Sequence, residues 1–521
     1  MATVAPSRIR TGRAAEVWLL LLAVALGVGG YALVGLNTGD ALPEDFGRYA
    51  LILAGVAVVL HLVVRWRARY ADPLLVPLVL ALNGIGLAII HRIDIGMTAR
   101  GIPFAAGPRQ LMWTALGAVL AAAVIIALRD HRTLRRYTFT AMVAGLVLLV
   151  LPMTPGLGVN RNGAQLWIEV GPLSFQPAEI AKILLAIFFA GYLVTNRDVL
   201  TLAGPKILGL QLPRVRDLGP LLLAWAVAIG VLVVERDLGT SLLFFGLFVA
   251  MLYVATERAS WIIIGLLMFA AGALLAVNLF PHVADRFDIW LNALDSDIYN
   301  REFGGSGQLV RGLFGLALGG LMGAGWGEGF PHLTTHANSD FIVSALGEEL
   351  GLTGLIAILL IYLVLAQRGL RMAIGVRDGF GKLLASGLAF TLAFQCFVVV
   401  GGVTRLIPLT GLTMPFMAAG GSSLVANWII IGLLVRISDS SRRPAAEGGG
   451  EVVGAETARI ALSTQNEGTG KGPDGAARPR RRGGTSAAVY DTADDVPRVP
   501  ANDAHDQDDD DDQHTEVVER P

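Results

Sequence analysis

The chain has 521 residues, of which 54% are hydrophobic and only 16% charged, with a mean hydropathy of +0.60. Soluble globular domains carry about 25% charged residues, so this balance excludes an ordinary soluble enzyme and points to a membrane as solvent. The formal net charge of −1 and the single cysteine, Cys396 in an apolar run, exclude a disulfide framework and a Cys-rich metal site, and no nucleic-acid partner is expected.

A hydrocarbon core of about 30 Å needs roughly 17–25 apolar residues per helix. Such runs occur near residues 17–36, 47–65, 74–91, 110–128, 137–155, 176–195, 218–234, 240–256, 260–280, 342–366, 383–407 and 412–435, which predicts twelve helices. The first run lacks a small-residue cleavage pattern after it and reads as a retained span rather than a signal peptide. Arginine is clustered in alternate connections: Arg8, Arg10 and Arg13; Arg65, Arg67 and Arg69; Arg129, Arg132, Arg135 and Arg136; Arg197, Lys206, Arg214 and Arg216; Arg368, Arg371, Arg377 and Lys382; and Arg442 with Arg443. The positive-inside rule then places both termini in the cytoplasm and the large loop at 281–341 outside. Within that loop "GQLVRGLFGLALGGLMGAGWG" is apolar but broken by glycines, and reads as an interfacial or re-entrant element. Beyond about residue 440 the chain is polar, holds "RPRRRGG" and the run Asp508 to Asp512, and has too few large apolar residues to fold, so a disordered tail is expected.

Ionisable groups at membrane depth are costly and mark candidate sites. In "SFQPAEIAKILLAIFFAGYL", Pro177 suits a first helical turn, and Glu179 and Lys182 fall at i and i+3 on one face. That spacing fits either a structural ion pair or the wall of a cavity for an anionic ligand. In "ERDLGTSLL", Asp237, Gly239 and Thr240 suit a tight turn with an N-cap from Asp or Thr. "PHLTTHANSDFIVSALGEELG" sets His336 and Asp340 before a span and Glu348 and Glu349 inside it. His332 and His336 are four apart, a metal-chelating spacing if the stretch is helical. The threonines between them and the lack of a Glu beside His332 favour interfacial hydrogen bonding. In "TRLIPLTGLTMPFMAAGGSSLVANW", Pro408, Pro415, Gly420 and Gly421 break the run before Ser422 and Ser423. Broken backbone at membrane depth is tolerated where it lines a cavity or is buried in protein.

The stretches "NGAQLWIEVGPLSFQPAEIAK", "DLGTSL", "SDFIVSALGEELGLTG" and "PLTGLTMPFMAAGGSSL", in this order, resemble the SEDS family (shape, elongation, division and sporulation) of RodA and FtsW. The resemblance covers about residues 74–437, and "VVGGVTRLIPLTGLT" with the extra helices looks closest to actinobacterial RodA. It implies an all-α polytopic membrane protein in three parts. Two additional transmembrane helices occupy 1–73, a ten-helix core occupies 74–437, and a cytoplasmic tail follows at 438–521. It also implies a peptidoglycan glycosyltransferase that polymerises lipid II at the outer face of the cytoplasmic membrane, working beside a class B penicillin-binding protein among membrane lipids. In the family the general base is attributed to an Asp of the large outer loop, in a pattern like Asp-Pro…Gly-x-Gly-Tyr-Gln. Here "WLNALDSDIYNREFGGSGQ" lacks that Pro and Tyr. Counting forward from "WLNA" reaches Ser296, with an acid on either side. Asp297 is assigned as the base, with Asp295 as the fallback. Arg109, Lys182 and Arg405 are the candidate cations for the leaving diphosphate, Glu179 orients Lys182, and Ser422 and Ser423 complete the substrate-binding set. The resemblance suggests a divalent cation, Mg²⁺ or Mn²⁺, but no metal ligands are assigned. On physics alone, a transporter that flips lipid II fits a polar cavity with broken helices equally well, and an FtsW-type division polymerase is the alternative within the family.

Overall fold

A computed structural model describes residues 12–102, 105–161, 164–171, 173–197, 206–207, 210–211, 219–234, 237–301 and 304–444. The expected tail lies, from residue 445, outside the described residues. The described residues form fifteen α-helices. The first nine are α1 (Arg13–Gly39), α2 (Phe46–Arg67), α3 (Leu75–Ala99), α4 (Ala106–Ala127), α5 (Thr138–Val150), α6 (Ala178–Thr195), α7 (Gly219–Val234), α8 (Leu238–Thr256) and α9 (Ser260–Leu279). Three short helices follow in the large loop, α10 (Pro281–Leu291), α11 (Ser296–Tyr299) and α12 (Gly307–Gly319). The chain then returns through α13 (Ile342–Gly375), α14 (Gly379–Val403) and α15 (Gly421–Arg442).

Eleven helical stretches among the described residues are long and apolar enough to cross a membrane, with α5 extended by 3₁₀ turns at both ends to His131–Met153. The twelfth expected span is α7, a helix of 16 residues. In the most hydrophobic windows of α3, α6, α14 and α15, 83%, 78%, 72% and 89% of the residues are buried, against 6% for α9. These four helices are therefore the middle of the bundle, and α9 is a peripheral helix whose apolar surface suits lipid. The two N-terminal helices are joined to this centre through α3. The backbones of Gly27 and Gly84 approach so closely that a Cβ on Gly27 would lie 2.8 Å from the Gly84 Cα, and the Tyr49 hydroxyl donates to the Gly84 carbonyl at 3.2 Å. Small residues permit such contact between membrane helices, where packing replaces the hydrophobic effect.

Two features differ from the sequence expectation. The final span begins at Gly421 rather than near 412, and it runs to Arg442. Toward its C-terminal end Arg436 donates to the Leu128 and Arg67 carbonyls at 2.6 Å each, so a charge is held inside the protein. Residues 404–420 are irregular, with positive φ at Arg405, Gly411 and Phe416, and their freed carbonyls are met by side chains of neighbouring helices. Asn83 donates to Phe416 at 2.9 Å, Gln110 to Ala418 at 2.9 Å, Gln395 to Thr413 at 2.9 Å, and the Tyr362 hydroxyl to Pro415. The break is tolerated because it is buried in protein. The second difference is a three-stranded antiparallel meander, Gly158–Arg161, Ala164–Val170 and Leu173–Phe175, whose register pairs Ile168 with both Gly158 and Phe175.

Helix α12 packs on α13, then turns back and enters a break in it. At Gly351 (φ 69°) α13 is not helical, and the hydrogen bonds it loses are replaced from outside. Ala324 and Gly325 donate to the Glu348 and Glu349 carbonyls at 2.9 Å each, while Leu352 and Thr353 donate to Gly320 at 2.9 Å and Leu321 at 3.1 Å. Only glycine fits, since a Cβ on Gly351 would sit 2.3 Å from the Gly323 nitrogen. Gly351→Ala is expected to destabilise the protein by about 1–3 kcal/mol, read as a lower melting temperature in detergent. An unchanged melting temperature would contradict this account of the break.

Candidate active site

The site is built around Lys182. Glu179 and Lys182, one turn into α6, lie on the face that points to the bundle centre, with Nζ 2.5 Å from Glu179 Oε2. Lys182 is 2% exposed and also donates to Gln395 Oε1 of α14 at 3.1 Å and Asn427 Oδ1 of α15 at 3.3 Å. An ammonium has three donors; the two amides accept hydrogen bonds from it, and Glu179 meets it as an ion pair. Removing a charge from water is expensive unless it is paired. Glu179 neutralises this one, and the two amides are neutral partners that an anionic ligand can replace.

From this centre a polar chain leads to the membrane face at which α6 begins. Asn427 donates to Ser423 Oγ at 3.3 Å, and Ser422 Oγ accepts from the Gln176 backbone at 2.9 Å. The Gln176 side chain reaches Asp237 Oδ2 at 3.3 Å. Asp237 is the N-cap of α8, with Oδ1 accepting from the Thr240 nitrogen at 2.9 Å. Burial raises its carboxyl, opposed by the Thr240 bonds. Arg286, on α10 of the large loop, is partly buried, its charge acts on both Asp237 and Asp340, and it donates to the Leu409 carbonyl at 2.8 Å. A loop helix is thereby tied to the Asp237 end of this polar chain.

Asp340, just before α13, is pushed by burial up to about 6, against the lowering effects of His336 and Arg286. The folded protein thus holds this proton more tightly than the unfolded chain, whose ordinary value is 3.8. The protonated form favours folding, so this contribution is present below about 4 and is lost as pH rises from about 4 to about 6. Asp340→Asn is expected to flatten that part of the melting-temperature profile. A profile unchanged by the substitution would assign the slope to another group.

The remaining predicted residues separate. Arg405 does not face the Lys182 cluster. Its guanidinium donates to the carbonyls of Trp290 (2.8 Å) and Leu291 (3.2 Å), the orphan acceptors at the end of α10, and Trp290 Nε1 returns a bond to the Arg405 carbonyl at 2.9 Å. Arg405 straps the loop helix to the bundle. Arg109 is exposed at the start of α4, where its charge acts on Asp94 of α3. Asp295 is the N-cap of α11, its Oδ1 accepting from the Asp297 nitrogen at 2.9 Å. Asp297 is exposed on that single turn, a short way beyond the loop helix that Arg405 and Arg286 fasten. His332 lies in a 3₁₀ turn and His336 has φ 58°, so the two do not share a helical face. Glu348 and Glu349 act as a clasp: Glu349 pairs with Arg92 at 3.2 Å and accepts from Gly327 at 2.8 Å, and Glu348 accepts from Phe330 at 2.6 Å. Among the described residues no three His, Cys, Asp or Glu side chains converge as a metal ligand set.

Sequence reasoning passed over Gln176, Arg286, Gln395 and Asn427. Gln395 and Asn427 carried a signal, since a lone amide inside an apolar run is costly unless another helix pairs it. Arg286 carried none, because an arginine in a polar loop is ordinary.

A bundle of membrane helices, with a buried lysine cluster at its centre and a strapped loop over one end, defines a polytopic membrane protein with a polar site near one membrane face. The profile of the family described as "Cell cycle protein" (FTSW_RODA_SPOVE) matches residues 73–443, and the chain belongs to this family. It is 47% identical over 436 residues to the peptidoglycan glycosyltransferase RodA of Mycobacterium tuberculosis strain H37Rv, covering 83% of this chain and 92% of that protein. Against the RodA of Mycobacterium leprae it is 45% identical over 445 residues, covering 85% and 94%. Among solved structures it is similar to a chain of the one described as "Structural coordination of polymerization and crosslinking by a peptidoglycan synthase complex". That match has 26% identity and a TM-score of 0.58, and covers 72% of this chain and 99% of that one.

Proposed function

We propose that the protein is a peptidoglycan glycosyltransferase that polymerises lipid II into glycan strands for cell elongation and shape. The observation that carries the reading is the Lys182 cluster: a membrane-buried cation with two neutral partners, linked through Ser423, Ser422, Gln176 and Asp237 toward the loop that holds the acids. The arginine distribution supports placing both termini in the cytoplasm and that loop outside. The mycobacterial relatives bear the name of the same activity.

In the proposed reaction the hydroxyl oxygen of one lipid-linked sugar attacks the anomeric carbon of another. A new C–O bond forms with inversion as the bond to the diphosphate breaks, and that electron pair leaves on the diphosphate. The hydroxyl proton passes to the Asp297 carboxylate. Asp295 is occupied in capping α11, which favours Asp297 over the fallback. Lys182, held in place by Glu179, Gln395 and Asn427, stabilises charge building on the leaving diphosphate, and Ser422 and Ser423 remain proposed substrate contacts on the same helix. Arg286 is added to the candidate cations. Arg405 acts by holding α10, and with it the acids, over the site. A divalent cation remains a proposal without assigned ligands. We further propose a class B penicillin-binding protein as the partner that cross-links the product.

The test is glycan formation from purified lipid II by the full chain in liposomes, with and without the transpeptidase. Glycan product dependent on Lys182 supports the polymerase. Lipid II crossing the bilayer with no glycan formed would support the flippase instead.

A further inference from the structure

A cavity of about 140 Å³ opens between the α2–α3 connection, the end of α13 and the end of α15. Helix α15 starts beside the start of α6, where Ser422 meets Gln176, so its far end marks the opposite membrane face. No residue of the Lys182 cluster lines this cavity, and the proposed reaction does not use it.

Its charges do not balance. Asp72 is 4% exposed, and both of its carboxylate oxygens are engaged. Oδ1 accepts from the Leu74 nitrogen at 3.0 Å, while Oδ2 accepts from Arg442 and lies 3.6 Å from Arg368 Nη1. Two guanidinium groups therefore converge on one oxygen. Arg371, one turn beyond Arg368 on the same face of α13, lines the same cavity. Arg368 meets Asp72 as an ion pair only, and Arg371 has no acceptor or acid as a partner among the described residues. Arginine stays charged and carries five donors, so three such groups share one carboxylate whose oxygens are already taken.

A concave site with this excess of positive charge repels a metal ion and suits an anion. The planar fork of arginine matches phosphate oxygens two at a time. The cavity is well below the size of an ordinary small-molecule pocket, so it admits a single phosphate group rather than a nucleotide. A phosphate ester could reach it on a lipid or as a free anion, and its surroundings favour the lipid. Leu363 and Leu370, 63% and 44% exposed, lie two turns apart on one face of α13 and lead from Arg371 back along the membrane span. Basic pockets between membrane helices hold anionic headgroups in this way. We propose that this cavity binds the phosphate of an anionic phospholipid, in the leaflet at which α13 and α15 end. A choline headgroup is disfavoured, because it would set a second cation among the arginines.

The experiment is native mass spectrometry of the full chain in detergent, titrated separately with dioleoyl-phosphatidylglycerol and dioleoyl-phosphatidylcholine, each with and without inorganic phosphate as competitor. The glycerol lipid is expected to bind about tenfold more tightly than the choline lipid, the worth of one hydrogen bond to a charged group. Arg371→Gln should weaken glycerol-lipid binding about tenfold and leave the choline lipid unchanged. Arg371 is exposed and holds no partner among the described residues, so this variant keeps the fold. Gly375→Trp removes no charge. A Cβ at Gly375 meets no atom within 4 Å, so the indole can fill the cavity and should lower glycerol-lipid binding as far as Arg371→Gln does. Arg136→Gln removes an exposed arginine outside the cavity, just before α5, and should change neither lipid. Equal binding of the two lipids, an equal loss in Arg136→Gln, or full binding kept in either cavity variant would each overturn the proposal. Displacement of the glycerol lipid by an equal concentration of inorganic phosphate would also overturn it and give the site to a free anion.

Discussion

Replacing Lys182 by methionine is expected to abolish glycan synthesis and to destabilise the protein by about 3–5 kcal/mol, because it leaves Glu179 buried without its partner. Loss of activity alone would not distinguish a substrate-binding lysine from a structural ion pair. The double variant Glu179→Leu with Lys182→Met removes both charges and should recover most of the stability, since buried pairs are often replaceable by apolar residues. It should still form no glycan. A double variant that regains both melting temperature and polymerisation would reduce the pair to a structural element. Lys182→Arg is also expected to fail. The planar guanidinium cannot reproduce a compact ammonium ringed by Glu179, Gln395 and Asn427.

The second large effect concerns the loop acids. Asp297→Ala is expected to lower the polymerisation rate by about 10²–10⁴-fold, the usual contribution of a general base, with little change in melting temperature because the residue is exposed. Asp295→Ala removes the cap of α11 and should act more weakly, through disorder of that turn. Asp295→Ser keeps a cap and should restore most of what Asp295→Ala loses. The measurement is the initial rate of glycan formation from lipid II for all three variants. If Asp297→Ala retained the wild-type rate, the assignment of the base would fall. A rate lost in Asp295→Ser as well would move the role to Asp295.

Arg405 illustrates where reading by residue type succeeds and stops. It stood out as a candidate cation for the leaving diphosphate in a broken apolar stretch, and from that stretch it holds the end of α10. Its guanidinium is spent on the carbonyls of Trp290 and Leu291, so it organises rather than binds. Arg286 is the converse: ordinary in sequence, it is the loop cation whose charge reaches Asp237 and Asp340. The difference arises because a loop arginine's role is set by the carbonyls and carboxylates the fold brings to it, and no local pattern specifies those.

What the sequence by itself determined is whatever follows from the solvent and from local spacing. Long apolar runs had to be helices, because a backbone in hydrocarbon must satisfy itself. The i, i+3 spacing had to put Glu179 and Lys182 on one face, and the glycines of 307–327 could not make an ordinary span. Only the tertiary structure decided which helix meets which. It set Gln395 and Asn427 around one ammonium, inserted a glycine turn into the break at Gly351, and hung α10 from Arg405 above the cluster. These contacts join residues far apart in the chain, and their energies depend on burial and on exact partners. Local pattern carries neither.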